Sequence, residues 1–428
     1  MNLTPDQVAQ GRRNFLKILA GTPALAALGV SAALKGPVRG GPVRVGFIGL
    51  GGQGRALLSN VDPAFAEVRA LCDINPTSLT RADEVLTRTK QPPARHYAEW
   101  KEMLDNEDIE AVIMAPPLWA HAELTAGCLE AGKHVLCEKM MAHDIAGCER
   151  MHETARRSGK VLEIGYQRNY NAMYHAAYDG VIKSGALGDI YHVRLAWHRN
   201  GNWRRQGEPP TPDYNPSQWG YPTFEHLINW RLYWKYSQGL MAELCSHQLN
   251  ATNWFLGSRP TAVAASGGVY RFKDGREAFD HVYATFEYPN GQTAVFSSIE
   301  SNAFDDYYEM FMGTKGTLII RREVEALFFE EGDREGATSI TVTPRNEGPA
   351  AVSSETQAAN TNQRAAQAST VTPALFDRPR STRLQIQRFC SAIRVGTPLA
   401  CGPDKAFDSA RACIRANESI TQKARLTI

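Results

Sequence analysis

The segment VRVGFIGLGGQGRALL, residues 43–58, leaves the chain little choice of fold. An apolar strand runs into Gly49-Leu50-Gly51-Gly52-Gln53-Gly54, and a helical pattern follows. A glycine-rich turn alone is a weak signal. One that ends a strand and opens a helix is the context that binding a dinucleotide demands. Gly49 permits the tight turn, Gly51 lets backbone approach a pyrophosphate, and Gly54 allows close helix–strand packing. N–H groups at the helix start then meet the phosphate charge, with Leu50, Gly52 and Gln53 in the same cofactor-facing turn. A second strand, EVRALCDI, ends in Asp73, 24 residues past Gly49. A carboxylate there can bond both ribose hydroxyls and repels a 2′-phosphate, so NAD is expected over NADP. Arg55 keeps NADP open, although a solvent-facing arginine is the simpler reading.

Strand-like and helical runs keep alternating: IEAVIMAPP (109–117), LWAHAELTAGCLEAG, KHVLCEK (133–139), HDIAGCERMHETARRSG and KVLEIGYQ. That rhythm predicts a parallel, doubly wound sheet over residues 42–165. Ligands on such sheets sit at the carboxyl ends of strands. Asp73, Pro116-Pro117, Glu138-Lys139 and Gln167-Arg168 all fall there. After residue 166 the pattern becomes strand-rich: DIYHVRLAWHRN, TAVAASGGVYRF, HVYATFEYPN, QTAVFSSIES, YYEMFMG and GTLIIR. Tyr288-Pro289-Asn290-Gly291 reads as a turn joining antiparallel neighbours. A second, α+β domain (166–400) with an open, mostly antiparallel sheet is expected, one side on helices and the other free. Residues 331–380, rich in Ala, Thr, Gln, Asn and Ser, read as an excursion without chemistry. Residues 401–428 read as a terminal helix and tail.

The stretch GLMAELCSHQLNATNWFLG (239–257) reads as one helix with an unusual face. Met241, Leu244, Cys245, Gln248, Thr252 and Phe255 share one side, while Glu243, His247 and Asn250 cluster opposite, beside Trp254. Such a face is either solvated or lines a pocket. Trp254 speaks for the pocket, because a large aromatic is seldom left in water. Residues 197–236 hold five of the eight tryptophans, partly on the loop GEPPTPDYNPSQWGYP (207–222). Aromatics beside a pocket suit the apolar faces of sugar rings. An aromatic-packed loop or a subunit contact would look the same.

The run APPLWAHAELTAGCLEAGKHVLCEK resembles the signature of the Gfo/Idh/MocA oxidoreductases: an Ala-Pro turn, a His shortly after, then a Gly-Lys-His strand ending in Glu-Lys. IGYQRNY (164–170), the helix at 239–257 and residues 389–420 fit the same pattern, so the likeness runs over 43–271 and 389–420. Within that family it is similar to relatives of the glucose–fructose oxidoreductase type and to sugar or inositol dehydrogenases. The resemblance implies catalytic roles for Lys139, Glu243 and His247. It adds Ala115, Pro116, His121, Glu138, Lys139 and Gln167 to the cofactor site, and no metal. It places Tyr166, Arg168, Trp230, Arg231 and His247 near a sugar or polyol substrate. It also implies a homodimer or homotetramer packed sheet to sheet. Alcohol oxidation needs a proton removed while hydride leaves the same carbon, and an imidazole suits that task. Glu243 would orient the ring or share its proton network. Lys139 would donate to the reacting oxygen or relay its proton.

Three departures stand out. Glu243 occupies a position where Asp is common, and Asn250 another where Asp is common. Lys139-Met140 replaces Lys-Pro, which is often cis. A cis bond before a non-proline residue costs about 3–4 kcal/mol, so a differently aimed Lys139 is expected.

The N-terminus, GRRNFLKILAGTPALAALGVSAALKG (11–36), resembles a twin-arginine export signal, with Gly11 where Ser or Thr is commoner. A basic N-terminal helix is the plainer alternative. On the export reading residues 1–36 stand apart from the fold, the export machinery is a partner, and the protein is periplasmic or otherwise extracytoplasmic. NAD would then be loaded before transit and reset within each cycle. That requires either coupled oxidation and reduction of sugars or a redox-neutral glycoside hydrolysis through transient oxidation. A non-catalytic sugar- or nucleotide-binding relative is the reading from another class. A formal net charge of +2 with no basic run gives no footprint for nucleic acid. No CxxC occurs and no disulfide or zinc framework is suggested; Cys72, Cys137 and Cys245, in apolar segments, read as small buried hydrophobes.

Overall fold

The computed structural model describes residues 3–20, 40–331, 339–343, 351–355 and 378–428. Its first element is helix α1 (Pro5–Ala20). The first sheet consists of β1 (Val43–Ile48), β2 (Ala66–Cys72), β3 (Arg95–Tyr97), β4 (Ala111–Met114), β5 (His134–Glu138) and β6 (Leu162–Gly165). All pairings are parallel, in the order β3-β2-β1-β4-β5-β6. Helices α2 (Gly52–Leu58), α3 (Pro76–Arg88), α4 (Trp100–Asn106), α5 (His121–Glu130) and α6 (Ile145–Ser158) make the crossovers. Strands covered on both faces are buried throughout: β4 is wholly apolar, while β6 carries Glu163 inside, where Tyr170 and Gln385 donate to its carboxylate. The strand order reverses between β1 and β4, which opens a cleft at their carboxyl ends.

The second sheet contains β7 (Ile190–His198), β8 (Ala262–Gly268), β9 (His281–Glu287), β10 (Thr293–Ile299), β11 (Tyr307–Gly313), β12 (Gly316–Arg321) and β13 (Glu325–Glu330). A separate antiparallel pair, β14 (Ser339–Thr343) with β15 (Ala351–Glu355), falls in the expected excursion. Residues 332–338, 344–350 and 356–377 of that excursion lie outside the described residues. With β16 (Leu426–Thr427) the large sheet runs β13-β12-β11-β7-β10-β9-β8-β16. Only β7 and β10 pair in parallel. The turn after β9 is made as expected, with Gly291 at φ +75°. Along β10 buried and half-buried residues alternate, so one face packs on helices and the other is open.

The linking helices are α7 (Ala172–Ala177), α8 (Phe224–Ile228), α9 (Ser246–Leu256), α10 (Arg378–Val395) and α11 (Pro403–Gln422). Two boundaries differ from the sequence expectation. Helix α10 was assigned to the second domain, yet its Ile386, Phe389 and Cys390 bury themselves with Val43, Phe47, Leu57 and Leu71 of the first. Apolar spacing shows that a helix needs a partner, not which one. Helix α1, set apart as a leader, lies on edge strand β13. Phe15 and Leu19 are buried, and Arg12 pairs with Glu325. At Gly11 an added Cβ would fall 2.7 Å from Phe329 Cζ, so the helix comes as close as only glycine permits. Covering a sheet edge satisfies a need any exposed strand has. The apolar run at 21–36 lies outside the described residues. All eight cysteines are buried and unpaired by disulfides.

Candidate active site

The first cavity, about 490 Å³, opens where β1, β2 and β4 end. Gly49 sits at φ +81°, and a Cβ there would lie 2.6 Å from Pro116 N. At Gly54 a Cβ would lie 1.9 Å from Gly49 O. Both positions exclude any side chain, one by turn geometry and one by helix–strand contact. Gly51 and Gly52 differ: an added Cβ would meet nothing within 4 Å, because both border the cavity. The space a side chain would fill is where a pyrophosphate must come, against first-turn N–H groups that have no intrahelical acceptor. Those residues fit a dinucleotide.

Asp73 borders the same cavity. Its carboxylate accepts the Leu50 N–H at 2.6 Å and the Asn75 N–H at 2.8 Å, which fixes its orientation. Burial pushes its pKa up to about 6, opposed by those two bonds and by Arg55. Arg55 is not simply solvent-facing. It borders the cavity and donates to Leu50 O at 2.7 Å. The aromatic loop of the second domain closes the other side with Trp219, Tyr221 and Phe224. It is tied to the first domain by Tyr214 Oη donating to Ile74 O at 3.0 Å and Trp119 Nε1 donating to Tyr221 Oη at 2.8 Å.

A second cavity of about 280 Å³ adjoins the first, sharing Gln53, Ala115, Pro116, Arg205, Trp230 and Arg231. Lys139, Glu243 and His247 all border it. Residues more than a hundred positions apart meet because β5 ends opposite the start of α9. The stretch 239–257 is not a uniform helix: a π turn, Met241–Cys245, precedes α9. Such turns recur at functional sites. Lys139 Nζ donates to the carbonyls of Ala242 and Glu243 in that turn, at 3.3 and 3.2 Å. It also lies 3.7 Å from Glu243 Oε2. The Lys139–Met140 peptide bond is cis, and the exchange of Pro for Met does not redirect the ammonium away from the cavity.

Glu243 is the most constrained member. Arg231 Nε donates to its Oε2 at 2.9 Å. Burial alone would raise its pKa, but Arg231 and then Lys139 outweigh it and bring the carboxyl down to about 2. It is therefore a fixed anion at neutral pH rather than a proton carrier. His247 is 4% exposed, with Tyr166 edge-on at 5.9 Å and Trp197 at 6.0 Å. Glu138 accepts from Gln53 Nε2 at 2.7 Å and from the Lys139 N–H at 3.1 Å, linking the glycine turn to the end of β5. His121 also borders the cavity, with Nδ1 2.9 Å from Met140 O and Nε2 3.2 Å from Pro116 O. Burial lowers its pKa, which favours the neutral ring, and its single N–H then donates to one of these two carbonyls.

Several expected positions fall elsewhere. Arg168 borders neither cavity: it is 2% exposed, with Nε donating to Glu323 at 3.0 Å and Nη1 paired with Glu309. Two buried carboxylates of the second domain outcompete any substrate for it. Tyr166, 1% exposed, packs behind the His247 ring instead of facing substrate. Gln167 is buried and borders neither cavity. Asn250 accepts from Asn169 at 2.7 Å, and Trp254 packs on His175 and Tyr178. The polar face of 239–257 therefore divides, with only Glu243 and His247 reaching the cavity. Trp230 and Arg231 border it as expected. Trp197 and Trp203 of the tryptophan-rich stretch border it too, whereas Arg199 and Arg205 were not anticipated. The basic, tryptophan-bearing run HRNGNWRRQ directly after a strand was the available signal.

Comparison with known proteins agrees with this architecture. Residues 43–166 match the family described as oxidoreductase, NAD-binding Rossmann fold, and residues 175–319 match the GFO/IDH/MocA C-terminal domain. Myo-inositol 2-dehydrogenase of Thermotoga maritima is 24% identical over 302 residues, 68% of this chain and 80% of that protein. Glycosyl hydrolase family 109 protein 2 of Phocaeicola vulgatus is 29% identical over 159 residues, 36% of this chain, and the match spans only 38% of its length. Aldose–aldose oxidoreductase of Caulobacter crescentus, solved with glycerol, superposes with a TM-score of 0.64 at 21% identity. The superposition covers 90% of this chain and 100% of that one, which shows a shared fold. The chain belongs to the Gfo/Idh/MocA family of oxidoreductases, built on an NAD-binding Rossmann domain.

Proposed function

We propose that the protein oxidises, or reversibly reduces, a hydroxyl-bearing carbon of a sugar or polyol, using NAD held in the larger cavity. The observation that carries this reading is the meeting of Lys139, Glu243 and His247 in a cavity continuous with the glycine turn. A bound nicotinamide supplies hydride acceptance and return. His247 takes the hydroxyl proton as the carbon is oxidised. Lys139, held by two π-turn carbonyls, stabilises charge developing on the oxygen. Glu243 does not exchange protons; it fixes Lys139 and Arg231. Trp197, Trp203 and Trp230 offer flat walls for the ring's C–H faces. The Asp73 carboxylate favours NAD over NADP, since a 2′-phosphate would meet it.

The test is to identify the nucleotide co-purifying with the protein and to screen sugars and polyols for a change in its near-ultraviolet absorbance. Spectral silence with every compound, nucleotide bound, would sink the proposal. A second reading, glycoside hydrolysis through transient oxidation, is favoured by the similarity to the family 109 hydrolase. It predicts aglycone release with no net accumulation of reduced nucleotide. We also propose export through the twin-arginine pathway and a homo-oligomer built on the open sheet face, where Tyr283 is 47% exposed. Fractionation of cells and light scattering of the purified protein test these two points. A cytoplasmic protein or a monomer would reject them in turn.

A further inference from the structure

The catalytic cavity carries more positive charge than its catalytic chemistry uses. Lys139, Arg199, Arg205 and Arg231 border it, against the carboxylates Glu138 and Glu243. Lys139 and Arg231 share Glu243. Arg199 reaches Glu300 only at 3.5 Å, and the other oxygen of that carboxylate is taken by Arg276 at 2.8 Å. Arg199 Nε is buried with no hydrogen-bond partner among the described residues. Its guanidinium lies over the Trp203 ring at 3.8 Å, which holds the fork at the wall.

Arg205 is anchored through its backbone. Asn229 Oδ1 accepts its N–H at 2.6 Å, and Asn229 Nδ2 donates to its carbonyl at 3.2 Å. Its guanidinium forms no ion pair with a carboxylate among the described residues, and it stands where the two cavities join. Burial lowers the pKa of both groups, that of Arg199 to about 10, and Arg231 adds to the effect on Arg205. Partly dehydrated guanidiniums whose donors are incompletely matched are costly unless an anion completes them. Their planar fork matches an oxyanion with two oxygens.

We infer that the substrate is an acidic sugar, whose carboxylate is taken by Arg199 and Arg205 while its reacting carbon faces Lys139 and His247. This names the substrate class of the site and rests on the oxidoreductase reading given above.

The test is calorimetric titration of the purified protein, nucleotide content measured, with matched pairs: glucose and glucuronate, galactose and galacturonate, mannose and mannuronate. Glucose 6-phosphate is the alternative anion. One uronate should bind more tightly than its neutral partner, with affinity falling as salt rises. Arg199→Gln and Arg205→Gln should each lower that acid-over-neutral ratio by about ten- to a hundredfold. Arg205→Lys should retain more of it than Arg205→Gln.

Equal affinity within every pair, or no binding of any uronate, overturns the inference. So does an unchanged ratio in both glutamine variants, or loss of nucleotide from Arg205→Gln with the ratio intact, which would assign Arg205 to the cofactor. Tighter binding of the phosphate than of every uronate overturns the carboxylate assignment. Arginine-dependent uronate binding without any redox change of the nucleotide would support the anion site while removing the oxidoreductase reading.

Discussion

Replacing Glu243 by Gln removes a negative charge but almost no volume, so it isolates what that charge does. In the folded protein its pKa falls from an ordinary 4.5 to about 2, burial opposing and Arg231 with Lys139 prevailing. The corresponding protonation free energy is about 3 kcal/mol. The carboxyl is more acidic folded than unfolded, so this stability is fully present above the unfolded pKa. It is lost as pH falls from about 5 towards about 2. At pH 7 Glu243→Gln should therefore be about 3 kcal/mol less stable, with Lys139 and Arg231 left facing each other without their shared anion. Urea unfolding of both proteins across pH 4 to 8 measures this. The gap should be constant from about pH 5.5 to 8 and narrow only below. A gap near zero at pH 7, or one that titrates between pH 5.5 and 8, would refute the fixed-anion account and return Glu243 to the acid–base steps. Turnover should fall too, because the ammonium of Lys139 loses one of the groups that hold it.

Three further outcomes are expected. His247→Ala should lower kcat by about a hundred- to ten-thousandfold while nucleotide remains bound; undiminished turnover would remove His247 from the mechanism. Because the Asp73 carboxyl titrates at about 6, raised by burial, and must be ionised to accept ribose hydroxyls, nucleotide affinity should fall roughly tenfold per pH unit below that value. Fluorescence titration checks it, and Asp73→Asn should flatten the profile and narrow the preference for NAD over NADP. Gly11→Ser should cost about 1–3 kcal/mol in urea unfolding, since its Cβ would press on Phe329. No change would mean that α1 does not dock on β13.

The parts legible in the sequence were those whose cause is local. Gly49 turns the chain at a positive φ and a Cβ at Gly54 would strike Gly49 O, so both glycines declare themselves. Alternating burial along β10 follows from its own side chains. The acidic end of β2 and the Lys at the end of β5 are fixed by where a parallel strand must stop. What stayed hidden depends on partners distant in sequence. Arg168 and Arg199 are both arginines near aromatic residues, and nothing local separates them. One is claimed by Glu309 and Glu323 in the core. The other finds its nearest carboxylate already occupied by Arg276 and is left at the cavity wall. Helices α1 and α10 are likewise amphipathic strings whose destinations are set by which surface remains uncovered once both sheets have formed. The same logic explains the split face of 239–257. Glu243 and His247 reach the cavity because the π turn and the end of β5 meet there, whereas Asn250, one turn on, is captured by Asn169 and Ser409. Residue type nominates a candidate, but competition among distant partners decides which nominee keeps its charge free for chemistry.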